Sequence, residues 1–175
     1  ISVGSGATTN GKAGSIRVTV GAGNTGDGGG VWVFAGQTTA DDKVGGMVSI
    51  RGGISYTGTA LAKGGSVEIG GGAGSGHSGG AVSVLTGYGS STSSGSVTVR
   101  TMNAGDNGVS GRLSFSSGTA SVGNSGSISV GSGAATNGKA GSIRVTVGAG
   151  NTDVGGRITV FAGQSTVSSG GGIAV

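Results

Sequence analysis

His77 is the sole histidine of the chain, set in Gly74-Ser75-Gly76-His77-Ser78-Gly79, and there is no cysteine at all. A nucleophilic triad or a zinc site needs further ligands or an orienting carboxylate around such a residue. The neighbouring sequence offers only Gly and Ser, so His77 reads as a solvated loop residue. The carboxylates are Asp27, Asp41, Asp42, Asp106, Asp153 and Glu68. Calcium-binding β-roll repeats place an Asp in almost every Gly-rich turn, because a hard cation takes six or more oxygen ligands. Most turns here have none. Polysaccharide-cleaving β-helices gather acids on one face for general acid and base work, and no such cluster can be assembled. The expectation is therefore no enzymatic activity, no metal site and no cofactor.

What chemistry remains is that of surface contact. On the alternating pattern described below, Arg17, Trp32, Phe34, Arg51, Leu85 and Phe161 occupy outward positions. An exposed apolar cluster at Trp32, Phe34 and Leu85 suggests lateral contact with another molecule. With one repeat unit per turn, Arg17 would neighbour Trp32 and Arg51 would neighbour Phe34, which gives cation–π pairs. The outward pairs Ser2/Gly4, Arg17/Thr19, Trp32/Phe34, Ser49/Arg51 and Glu68/Gly70 make no Thr-x-Thr ladder, which argues against ice binding. A net charge of +4 arises from ten Lys and Arg spread over many units. That balance favours acidic polysaccharide or mineral surfaces as partners. Nucleic acid is not expected, because no basic cluster is interleaved with aromatics. The Gly-rich turns are not phosphate loops either, since no stretch has the helical periodicity that would follow one. Nor is there an apolar run long enough to span a membrane.

The elements that must carry these residues are read from a short recurring stretch, Ile16-Arg17-Val18-Thr19-Val20-Gly21. Apolar residues alternate with variable ones, the pattern of a strand with one face toward a core. Further copies begin at Ile1, Val31, Val48, Val67, Val82, Val97, Leu113, Ile128, Ile143, Ile158 and Ile173, most of them separated by the same step as Ile1 and Ile16. In every complete unit the first and third positions are both apolar, too regular for chance or for a flexible Gly/Ser linker. Above this lies a longer period: the stretch 1–26 returns at Ile128, and Val31 with its VFAGQTT returns at Ile158 as VFAGQST, both by the step that separates Ile1 from Ile128.

A glycine stands two positions before each later copy: Gly14, Gly29, Gly46, Gly65, Gly80, Gly95, Gly111, Gly126, Gly141, Gly156 and Gly171. A Gly fixed at one phase marks a positive φ or a close backbone approach, so these are corner residues. A second Gly closes each complete stretch, with Met102 the exception. Corner, strand, corner and small-residue return predict an all-β fold, a parallel β-solenoid of about 15-residue units with one or two units per turn. Residues 1–175 are expected to form one continuous segment, 1–127 a long repeat and 128–175 the start of the next. Starting on one apolar stretch and stopping in another, the chain reads as a window of a longer array.

The repeats G-G-S-V-E-I-G-G-G, G-G-A-V-S-V-L-T-G and S-G-S-V-T-V-R-T over residues 64–101 resemble the Gly/Ser-rich short-repeat solenoids of microbial extracellular proteins. These include repetitive surface proteins of algae such as diatoms and the shafts of bacterial adhesins. The resemblance implies an extracellular or cell-surface location and a structural role, with other copies of the chain as the main partner in a filament. An adhesin stalk that binds glycan or mineral surfaces is the alternative it leaves open. It implies no catalytic residue.

Overall fold

Why the backbone takes the path it does begins with 46 glycines in 175 residues. Glycine has the most backbone freedom to lose on ordering and no side chain to bury, so long regular elements have little to hold them. The computed structural model describes residues 1–56 and 62–174, and among them it contains neither helix nor strand. This corrects the sequence-based expectation: there is no sheet, hence no β-solenoid and no parallel ladder, and the question of one or two units per turn has no subject. Val175, the third position of the last repeat, lies outside the described residues.

The regularity survives in another form. The chain divides into two units, Ile1–Gly95 and Ser96–Val175, and each is a succession of loops in which the backbone returns to touch itself. Single backbone bonds close several of these loops: Gly46 N–H donates to Gly36 O at 2.7 Å, Gly65 to Gly53 at 2.8 Å, Gly80 to Gly72 at 2.8 Å, Gly95 to Gly87 at 3.1 Å and Gly171 to Gly163 at 2.9 Å. In each the donor is a corner glycine and the acceptor is the glycine that ends the preceding apolar stretch. One bond per loop does not make a sheet. A ladder needs successive pairs along both segments, and here pairing stops where it starts.

Inside the loops, bends are held by short side chains. Thr38 Oγ1 accepts from Ala40 N at 3.2 Å, Asp153 Oδ1 from Val154 N at 2.7 Å, and Ser165 Oγ from Ser168 N at 3.0 Å. Such local bonds offer the backbone an alternative to regular structure. Asp42, in the turn with Asp41, has φ 56°; Asp tolerates this left-handed conformation better than most residues.

No core forms. Among the described residues none is buried, polar or apolar. Ile16 is 54% exposed, Val18 75% and Val20 48%, and first positions stay more shielded than third positions in the later units. First positions follow a corner glycine closely, where the chain lies against its preceding segment. Third positions stand two residues farther from the corner. The total accessible surface is 17517 Å² for 16.0 kDa. A folded chain of that mass exposes about 7,400 Å² and a fully extended one about 23,000 Å², so the isolated chain retains most of the surface that folding normally removes.

A chain without a core has little area left to expose on denaturation, and the steepness of a urea transition scales with that area. Dilute monomer is therefore expected to show no strand band in far-UV circular dichroism and a gradual, non-sigmoidal response to urea. A sharp cooperative transition would contradict the coreless architecture.

Candidate functional site

The feature built most consistently from these residues is the mouth of each loop, where a corner glycine meets the end of the preceding apolar stretch. None of the corner glycines has a positive φ; among the described residues the glycines that do are Gly6, Gly11, Gly76 and Gly123. Close approach is what the position requires. A Cβ at Gly46 would stand 3.0 Å from Gly36 N, 3.1 Å from Gly36 O and 3.2 Å from the Ala35 Cβ. At Gly156 it would lie 2.5 Å from the Val147 Cγ1, and at Gly29 2.6 Å from the Val20 Cγ1.

The partner residue varies while the contact persists. Ser5 stands against Gly14, Thr86 against Gly95, Thr101 against Gly111, Ser117 against Gly126, Ser132 against Gly141 and Ala162 against Gly171. At Gly65 and Gly80 the approach is backbone to backbone, with Gly52 and Gly53 and with Gly71 and Gly72. The long repeat is visible in this geometry. Ser5 Oγ donates to Gly14 O at 2.8 Å, and at the equivalent place in the next long repeat Ser132 Oγ donates to Gly141 O at 3.0 Å. At Ser5 and Ser132 the hydroxyl supplies the closing bond, whereas Ser117, which also precedes a closing glycine, meets Gly126 only through its Cβ; the repeat is readable in the sequence, this bond is not.

The outward residues stand on the exposed parts of this framework. Trp32 is 74% exposed, Phe34 85%, Leu85 84% and Phe161 87%; Arg17 and Arg51 are exposed as well. The Trp32 ring folds back over Gly30, where an added Cβ would lie 2.8 Å from Cζ2. Without a sheet there is no ladder to set Arg17 beside Trp32 or Arg51 beside Phe34, so the register that predicted those cation–π pairs does not exist. A set missed in the sequence is the row of loop valines: Val44, Val109, Val122, Val154 and Val167 are each at least 90% exposed. They fall outside the alternating pattern, which drew attention away from them.

His77 sits on an exposed bend whose carbonyl approaches Gly74, and the bend from Gly89 to Ser93 repeats that geometry with the Thr92 carbonyl. Among the described residues no three His, Cys, Asp or Glu come together in a way that could hold a metal ion. A shallow hollow of about 210 Å³ is lined by Arg100, Thr101, Met102 and Asn103. These residues are consecutive, so the hollow lies along a single segment, at the one stretch that ends in Met102 in place of glycine. Ligand sites usually enclose about 300 Å³ or more between separate elements. No helix among the described residues is long and apolar enough to cross a membrane.

The site thus defines a class by architecture alone: a tandem-repeat chain of glycine-closed loops with outward apolar side chains. No protein-family model, no curated protein and no solved structure matches the chain.

Two substitutions and one control probe the loop mouth. Gly46→Val is expected to separate Gly36 from residue 46, read as loss of the nuclear Overhauser contact between them, whereas Gly70→Val, with nothing within 4 Å of its Cβ position, leaves that contact intact. Ser132→Ala is expected to shift the Gly141 carbonyl-carbon resonance and to leave that of Gly156 unmoved. Equal effects at the two glycine positions, or no shift at Gly141, would contradict the geometry.

Proposed function

We propose that the chain is a structural protein of an extracellular filament, in which the repeats acquire their apolar contacts by association with other copies of the same chain. The observation that carries this reading is the combination of a strict apolar period with the absence of a core. The first and third positions of the complete units are apolar without exception, yet in the single chain the described ones lie open to water. Apolar surface on this scale marks an interaction face, and burial against a partner stabilises it by about 25 cal/mol per Å².

A second copy fits as the partner because the pattern is repeated within the chain. Any unit that presents Ile, x, Val to solvent meets the same spacing in every other unit, so one mode of contact serves the whole length. Near-identity of the stretch 1–26 and the stretch from Ile128 supports growth by duplication, which lengthens such an array without a new kind of contact. Arg17, Trp32, Phe34, Arg51, Leu85 and Phe161 add outward groups for lateral contact between copies. The net charge of +4 is small, and at physiological ionic strength repulsion between copies is screened beyond roughly 8 Å.

Sedimentation velocity over a concentration series tests this. The chain is expected to pass from monomer to large, heterogeneous assemblies as concentration rises, with fibrils visible by electron microscopy. The double variant Val18→Asp, Val145→Asp is expected to raise the required concentration at least tenfold, since a charge at a buried apolar contact is costly. A chain that stays monomeric at every concentration but binds an acidic glycan or a mineral surface saturably would overturn the filament and favour an adhesin stalk.

A further inference from the structure

Three Asn-Gly pairs remain unexplained by the repeats and loop mouths: Asn10-Gly11, Asn107-Gly108 and Asn137-Gly138. All of these residues are exposed, and each asparagine lies in a bend or turn. Their chemistry is that of an intramolecular acyl transfer. The backbone nitrogen of the glycine can attack the side-chain carbonyl carbon of the asparagine before it, because glycine has no Cβ to obstruct the approach. The new bond joins that nitrogen to Cγ, the Cγ–NH2 bond breaks, and ammonia leaves with the proton lost by the backbone amide. Water then opens the cyclic imide at either carbonyl, giving aspartate or isoaspartate. The only co-reactant is water.

The structure separates the three pairs. Gly108 N–H donates to Gly105 O at 3.2 Å across the turn that contains Asp106 and Asn107, so its nitrogen must lose a hydrogen bond before it can deprotonate and attack. Among the described residues no backbone acceptor takes the N–H of Gly11 or of Gly138. Gly11 in addition has φ 125°, a conformation that L side chains rarely adopt. We infer that Asn10 and Asn137 are sites of spontaneous deamidation, and that Asn107, with the same Asn-Gly chemistry, is protected by its turn.

The two sites occupy the same place in successive copies of the long repeat, and each stands two positions before a lysine, Lys12 or Lys139. Conversion sets a carboxylate near each of those lysines in the sequence and takes the formal net charge from +4 to +2. Isoaspartate also lengthens the backbone by one methylene inside the loops closed at Gly14 and Gly141. The modification is thus a slow, irreversible change in the charge and closure of one loop in every long repeat, independent of whether the chain assembles.

Purified full-length chain, kept dilute and monomeric at mildly alkaline pH, is to be followed by peptide mapping with mass spectrometry that distinguishes aspartate from isoaspartate. Asn10 and Asn137 are expected to convert on the order of fivefold faster than Asn107, the factor that one net backbone hydrogen bond supplies. In concentrated urea the three rates are expected to converge, and Gly11→Ala is expected to slow Asn10 alone. Equal rates in buffer, faster loss at Asn107, or a difference that persists unchanged in urea would each overturn the assignment.

Discussion

The whole chain depends on one constraint: at each corner the backbone returns so close to its preceding segment that a side chain on the corner residue would meet it. This contact sets the loop length, because the closing glycine and the corner glycine bracket each return. It also sets which apolar residues are partly shielded, because first positions stand two residues after the corner. Everything outward of the mouth is left to solvent. The residue facing the corner can be Ser, Thr, Val, Ala or Gly, so the requirement lies on the corner side and the other side is free to vary.

That constraint explains why a pattern so strand-like does not yield a sheet here. Alternation of apolar and polar residues specifies which side chains share a face, but a ladder needs a second segment in register over several residues. At Gly46 the return delivers one donor to one acceptor, Gly36 O. The returns between apolar stretches are rich in Gly, Ser and Ala, which cannot cover Val or Ile. Fixing the backbone of each residue costs about 1–2 kcal/mol, and a few half-exposed side chains per unit do not offset that cost over the whole unit. The described residues of the single chain do not build the core that periodicity promises.

What the sequence made legible was positional. The corner glycines share one phase of the repeat, a phase that signals either a positive φ or a close backbone approach; in the structure they lie close to the preceding segment, while Gly11 and Gly76, which are not corners, have positive φ. The long repeat was legible too, and it reappears as the paired Ser5 and Ser132 bonds. The solenoid was not supported, because parallel stacking was inferred from the uniform polarity of the units, and uniform polarity constrains pairing only once pairing exists. The contacts expected of Arg17 with Trp32 and of Arg51 with Phe34 lost their basis for the same reason, since they were derived from a ladder register. The Asn-Gly pairs stand out from neither the apolar period nor the corner glycines, although their chemistry needs no more than an exposed bend.

Hydrogen–deuterium exchange at two protein concentrations tests the central claim, that the apolar stretches find their partners in other copies, most directly. In dilute solution the amides of residues 16–20 and 143–147 should exchange as fast as those of the loops between them. At high concentration protection should appear at these stretches and at their counterparts in the other units, while the loop tips at Val109 and Val122 stay fast. Strong protection of residues 16–20 and 143–147 already present in the dilute monomer would contradict the account, because it would mean that the single chain holds a core of its own.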